Sequence, residues 1–222
     1  MNDPASRAAD ARADMVQRLR RGGIGDPTVL AAMAAVPRER FVPPGHAGEA
    51  YQDRPLSIGA DQTISTPQIV AFMAAALGLH ADDQVLEVGC GSGYAAAVLS
   101  RCARRVITIE RHRDLADRAR RVLADLGYDN VEVRHGDGTL GAPDRAPFDA
   151  VSVAAMANEI PAGLVAQLAP PGRLICPVGA QRTGHLIRLQ HGRREILLPV
   201  SFVPLIADAG LESGAHGPAR RT

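Results

Sequence analysis

The chain has 222 residues, 46% hydrophobic and 22% charged, which suits one globular domain with a real core and excludes disordered and fibrous classes. Its 25 basic residues stand against 24 acidic ones, a net charge of +1, so no global field holds a nucleic acid or an anionic membrane and any charged ligand must be bound locally. All 25 basic residues are arginine, which excludes Schiff-base chemistry, a pyridoxal anchor and a phosphate-binding Walker lysine.

From the amino end, Ala8, Ala11, Met15 and Leu19 recur at helical spacing and predict a helix over 5–21, stopped by Gly22 and Gly23. These first residues are polar, with Asp3, Asp10 and Asp14 among them, which argues against a signal or transit peptide. Asp26 as N-cap and Pro27 at the first helical position open a helix over 27–35. The stretch 37–66 is dense in proline and glycine and reads as long irregular backbone, which in a compact domain is usually functional. Thr66 then caps a helix over 67–77 that ends before Gly78.

Beyond Gly78 the period changes. Short apolar runs at 84–88, 105–110, 131–134, 148–153 and 173–177 alternate with helical patterns at 93–103, 114–126 and 161–168. That alternation means βαβ units and a parallel sheet, with 185–189 and 195–200 as a late strand pair. No run of 18 apolar residues occurs. Cys90, Cys102 and Cys176 form no C-x-x-C pair and the seven histidines show no metal-ligand spacing, so a cytoplasmic protein without disulfides or a metal is expected.

The strongest local signal is V-L-E-V-G-C-G-S-G-Y at 85–94, a buried strand that ends in Glu87, then Gly89, Gly91 and Gly93, then a helix. Such a turn brings bare backbone N–H groups close to a ligand, as a nucleoside cofactor requires. Gly91, Gly93 and Ala96 also satisfy the dinucleotide form G-x-G-x-x-A, so the turn alone leaves the cofactor open. Glu110 closes the second strand, where a carboxylate can accept from both ribose hydroxyls. Asp137, beside Gly138, follows the third strand, where it can accept from an adenine amino group. The structural alternatives are helix caps at Glu110 and Asp137, a helix boundary at Ser65, and a small packing residue at Cys90.

A glycine turn with acidic residues at the ends of three successive strands resembles the class I S-adenosylmethionine-dependent methyltransferases. Further blocks narrow the resemblance to the protein-L-isoaspartate O-methyltransferase family: V-P-R-E-R-F-V-P at 36–43, A-Y-Q-D-R-P-L at 50–56, Q-T-I-S at 62–65, G-Y-D-N-V-E-V-R-H-G-D-G at 127–138, A-P-F-D at 146–149, E-I-P at 159–161 and F-V-P-L at 202–205. They span Met15 to Leu205, nearly the whole chain.

The resemblance implies a doubly wound, mostly parallel α/β fold with a helical N-terminal segment. It divides the chain into residues 1–66 with the substrate and cofactor loop, a methyltransferase domain over 67–206 and a disordered tail over 207–222. The implied cofactor is S-adenosyl-L-methionine, held by Gln62, Thr63, Ile64, Glu87, Gly89, Cys90, Gly91, Gly93, Glu110, Asp137 and Gly138. Ser65 is the implied catalytic residue, its hydroxyl beside the acceptor carboxylate of an isoaspartyl protein or peptide. A carboxylate with a pKa of about 4 is already ionised at pH 7, so positioning and exclusion of water remain and no general base is needed. A monomer that binds neither nucleic acid nor membrane is expected.

Two departures bear on the substrate. Asp61 stands where the family commonly has glycine, and A-A-M-A-N at 154–158 replaces its Thr-Ala-Ala-Ala-Pro run, with Met156 and Asn158 expected near the acceptor groove. The alternatives are therefore carboxyl methylation of one dedicated peptide, an NAD-linked oxidoreductase, and a catalytically silent binding module on the same fold.

Overall fold

A computed structural model describes residues 4–207; the tail expected over 207–222 lies, apart from Ala207, outside the described residues. Helix α1 (Pro4–Arg21) forms on the stripe its spacing predicts, with Met15 and Leu19 buried and Ala8 and Ala11 packed against the same core. In α2 (Pro27–Ala35) the Asp26 carboxylate accepts from the N–H groups of Thr28 at 2.8 Å and Val29 at 3.0 Å, two of the donors a helix start leaves unpaired. Thr66 does the same for α3 (Pro67–Leu77), its hydroxyl accepting from the Ile69 N–H at 3.3 Å, and Gly78 ends that helix in the left-handed region.

The stretch expected to be irregular carries more structure than its proline and glycine content predicts. Two 3₁₀ turns, Arg38–Phe41 and Pro44–Glu49, precede an antiparallel hairpin of β1 (Leu56–Gly59) and β2 (Gln62–Ile64). Four- and three-residue strands are too short to show a period. The two loop residues, Ala60 and Asp61, have φ of 52° and 55°, the doubly positive turn that matches the twist of a tight hairpin. That backbone, which glycine adopts without strain and Asp tolerates, accounts for the exchange at position 61.

Seven strands make the main sheet: β3 (Gln84–Val88), β4 (Arg105–Glu110), β5 (Val131–His135), β6 (Phe148–Val153), β7 (Leu168–Ala180), β8 (Thr183–Gln190) and β9 (Arg193–Ser201), in the order β5-β4-β3-β6-β7-β8-β9. Pairing is parallel from β5 through β7 and antiparallel for β8 and β9, the expected late pair. Alternate residues feed two cores: Val85, Val106, Ala150 and Ile175 pack with the N-terminal helices, and Leu86, Ile107, Val151 and Leu174 pack with Leu164 on the other face. Helices α4 (Tyr94–Ser100), α5 (Arg113–Asp125) and α6 (Ala162–Val165) connect the strands, completing the expected doubly wound fold.

The helix expected over 161–168 shrinks to one turn, because the Phe148 N–H bonds to the Gln167 carbonyl at 2.8 Å and draws the chain into β7 from Leu168. The order of strands reverses at β3 and β6. In open α/β sheets the crevice at such a reversal, outside the carboxyl ends of the strands, is where ligands bind.

Candidate functional site

A cleft opens at that reversal. Val88 and Gly89 line it from the end of β3, Glu110 and His112 from the end of β4, Gly138 from beyond β5 and Ala154 from beyond β6. Gln62 and Thr63 of the hairpin and the segment Val203–Ile206 close it from outside. Gly89 and Gly91 of the glycine turn form its floor, and Gly89, Gly91 and Gly93 have φ of 93°, 56° and 89°, values that L side chains rarely adopt. A Cβ on Gly138 would lie 2.5 Å from Val88 Cγ1, so that glycine is required for β3 and the chain beyond β5 to approach each other.

Among the described residues that line this cleft, Glu110 is the one carboxylate, and it is held in place. Its Oε2 accepts from the Gly91 N–H at 2.7 Å and its Oε1 from the His112 N–H at 2.9 Å. Each carboxylate oxygen has a further lone pair for a ribose hydroxyl. Asp137 does not line the cleft: its Oδ1 caps the 3₁₀ turn Gly138–Leu140, accepting from the Thr139 N–H at 2.8 Å and the Thr139 hydroxyl at 2.7 Å. The cap alternative thus describes Oδ1, with Gly138 presenting backbone to the cleft beside it.

Ile64, Glu87, Cys90 and Gly93 stand behind the cleft wall, all buried. Glu87 has the same face as Val85, between Thr108 of β4 and Ser152 of β6, in an otherwise apolar core. Its Oε2 accepts from the Thr108 hydroxyl at 2.5 Å, whereas Oε1 has no partner among the described residues. Burial pushes this carboxyl up to about 8, helped by the negative charge of Glu110 and opposed by the Thr108 hydroxyl. Burial likewise raises the Cys90 thiol far above its usual range, which suits a packing residue and not a nucleophile.

A second cavity adjoins the first. Thr63, Ala154 and Val203 line both, and Ser65, Thr66, Ile69 and the end of β9 complete it. Among the described residues that line it, none carries a titratable carboxylate, imidazole or cationic side chain, and its polar groups are hydroxyls. Thr66 caps α3, which leaves the Ser65 hydroxyl free of that task and without a protein partner among the described residues.

Met156, Asn158 and Asp61, expected near the acceptor groove, line neither cavity. Met156 is buried, Asn158 is exposed, and Asp61 is at the hairpin tip. The backbone of Met156 matters more than its side chain: its N–H donates to the Val203 carbonyl and its carbonyl accepts the Leu205 N–H, both at 2.7 Å. That pairing draws the segment after β9 across the sheet to wall both cavities. Nothing in the local pattern of 202–206 signals this role, since the partner is some fifty residues away.

Comparison with known proteins places this geometry. The profile of the family described as protein-L-isoaspartate(D-aspartate) O-methyltransferase matches residues 10–210. A Pelobacter propionicus protein-L-isoaspartate O-methyltransferase 2 is 50% identical over 218 residues, 95% of this chain and 97% of that protein. A Methylorubrum extorquens protein-L-isoaspartate O-methyltransferase is 51% identical over 215 residues, 94% of each. Among solved structures, a Plasmodium falciparum protein described as a β-aspartate methyltransferase, in complex with S-adenosyl-L-homocysteine, superimposes with a TM-score of 0.77 at 28% identity, covering 87% of this chain and 97% of that one. By sequence along almost its whole length and by fold, the chain belongs to the protein-L-isoaspartate(D-aspartate) O-methyltransferase family.

Proposed function

We propose that this chain methylates the free carboxylate of L-isoaspartyl residues in damaged proteins and peptides, with S-adenosyl-L-methionine in the cleft at the strand ends and the acceptor in the adjoining cavity. The observation that carries the arrangement is the wall of Thr63, Ala154 and Val203 that both spaces share, so a donor in one and an acceptor in the other meet at a common boundary. Three free, buried cysteines accord with action in the reducing cytoplasm.

The cleft suits a nucleoside. It has a carboxylate fixed by two backbone donors at the end of β4, and glycines at 89, 91 and 138 where a side chain would fill the space or strain the backbone. When bound, S-adenosyl-L-methionine supplies a methyl group made electrophilic by its sulfonium. Glu110 holds the ribose and the backbone of Gly89, Gly91 and Gly138 the rest of the nucleoside, while Gln62 and Thr63 cover it.

In the acceptor cavity the task is orientation. An isoaspartyl carboxylate is anionic at neutral pH, so its oxygen attacks without losing a proton, and a lining of hydroxyls and apolar groups contains no base because none is needed. The Ser65 hydroxyl donates a hydrogen bond to one carboxylate oxygen and leaves the other directed at the shared wall. The hairpin and the 203–206 segment exclude water that would compete for the methyl group. The test is methyl transfer from labelled S-adenosyl-L-methionine to an isoaspartyl peptide, with its L-aspartyl twin as control. Label in the isoaspartyl peptide alone supports the reading, whereas equal labelling of both peptides or of neither defeats it.

A further inference from the structure

Arg38 is the largest fully buried side chain among the described residues, at 0% exposure, and the established chemistry leaves it unused. Among the described residues its guanidinium forms no salt bridge, and the Asp53 carboxylate acts on it only through space. Nε donates to the Ala50 carbonyl at 2.6 Å, Nη2 donates to the Ser65 carbonyl at 2.7 Å, and Nη1 has no partner among the described residues. Its Cζ lies over the Tyr94 ring, 4.6 Å from the centroid, and Phe41 meets that ring edge-on at 5.7 Å.

A buried cation without a carboxylate partner is an expensive way to fill space, and an apolar residue of similar volume commonly stabilises a core as well or better. An apolar residue cannot donate in two fixed directions at once. The rigid guanidinium fork can, and the Tyr94 ring beneath its Cζ favours the cation there. One arm is anchored to Ala50, at the end of the second 3₁₀ turn, and the other reaches the two-residue link between β2 and α3 that carries Ser65. On the far side of that link the Thr66 hydroxyl is committed to α3. Ile64 is buried in the core on the near side. The Ser65 carbonyl would otherwise be the ungoverned group of this link, and with it the direction of the Ser65 hydroxyl.

We propose that Arg38 is a positioning residue for the methyl transfer, fixing the peptide plane of Ser65 so that its hydroxyl faces the acceptor cavity. This rests on the reading of Ser65 as the group that orients the acceptor carboxylate. It extends the family block at 36–43 from a mark of resemblance to a working part of the site.

The test is a double-mutant cycle in the full chain. Arg38→Lys keeps the charge but cannot span both carbonyls, Arg38→Met keeps the volume and removes every donor, and each is made alone and with Ser65→Ala. Both single variants are expected to bind S-adenosylhomocysteine within about threefold of wild type and to lose about tenfold or more in kcat for the isoaspartyl peptide, with KM changing far less. In the Ser65→Ala background the same substitutions should cost about twofold at most, because Arg38 acts through Ser65. Amide exchange at Thr66, whose N–H shares the peptide plane of the Ser65 carbonyl, should quicken in Arg38→Lys while the strands of the sheet stay protected.

A folded Arg38→Lys with wild-type kcat overturns the proposal, as does a kcat loss that persists in full without Ser65. Failure of both variants to fold overturns it too, since Arg38 would then serve stability alone. A wild-type chain that leaves the isoaspartyl peptide unmethylated defeats the functional reading, and the exchange rate at Thr66 still decides whether Arg38 holds that peptide plane.

Discussion

Glu110 accepts the Gly91 N–H at 2.7 Å across nineteen positions of sequence, joining the glycine turn after β3 to the end of β4. The contact fixes the carboxylate before any ligand arrives, so little ordering remains to be done on binding. Glu110→Ala should therefore weaken S-adenosylhomocysteine binding by about 10- to 150-fold, the equivalent of roughly 1.5 to 3 kcal/mol for charge-assisted hydrogen bonds. Circular dichroism should show an intact fold. Calorimetry that finds unchanged affinity in the folded variant removes the nucleoside from the end of β4.

Gly138 tests whether the cleft depends on close backbone approach. In Gly138→Ala the new Cβ meets Val88 Cγ1 at 2.5 Å, and neither the end of β3 nor the 3₁₀ turn can yield without disturbing the cleft floor. A loss of about 1 to 3 kcal/mol of stability is expected, as for other overpacked sites, together with weaker cofactor binding. Adding Val88→Ala should return part of both. Urea unfolding of the single and double variants decides it, and a double variant no better than the single one is the contrary result.

Ser65→Ala should lower kcat about 10- to 150-fold, one hydrogen bond to a charged group, and leave S-adenosylhomocysteine affinity nearly unchanged. Because no titratable carboxylate, imidazole or cation is among the described residues lining the acceptor cavity, the pH profile should fall on the acid side near the acceptor's own pKa of about 4 and show no base limb near neutrality. An inflection near pH 7 that vanishes in Ser65→Ala would contradict this, and so would a wild-type kcat in that variant.

Glu87 makes stability depend on pH in the cofactor-free protein. Its folded carboxyl, raised from 4.5 to about 8, binds a proton that the unfolded chain has already released across that interval. The stability that this group contributes should consequently be full below about pH 4.5, decline as pH rises toward 8 and level off above it. The decline attributable to this group is on the order of 3 to 5 kcal/mol at about 1.4 kcal/mol for each pH unit. Glu87→Gln keeps an acceptor for the Thr108 hydroxyl and carries no charge, so its stability curve should be flatter across the same range. Parallel curves for variant and wild type from pH 5 to pH 9 in urea titrations would show that Glu87 does not carry the effect.

Local physics settled many elements in advance. Asp26 before Pro27 and Thr66 before Pro67 open α2 and α3 because a side-chain oxygen must satisfy donors two or three residues away, a relation written entirely in neighbouring residues. The apolar runs of β4 and β6 match the structure residue for residue, since a parallel strand buried on both faces leaves no polar alternation to blur its ends. The glycine turn was equally legible, because three glycines at alternate positions imply a backbone other residues resist.

What the sequence by itself determined, then, is the fold class, the family and the glycine turn at the end of β3, all of which follow from short-range patterns. Tertiary structure alone decided how the two adjoining cavities are walled. The β1–β2 hairpin is too short for a period to register. The 203–206 wall is placed by the backbone of Met156, and Ser65 is held by an arginine twenty-seven positions earlier. Asp137 and Glu110 show the division: each carboxylate accepts an N–H two residues on, a local relation, but Glu110 also accepts the Gly91 N–H nineteen positions away, which only the folded chain brings near, and it alone of the two lines the cleft. Periodicity reports that a face is buried; the partner it is buried against comes from distant chain, and the direction of a hydroxyl or a carboxylate is set by that partner.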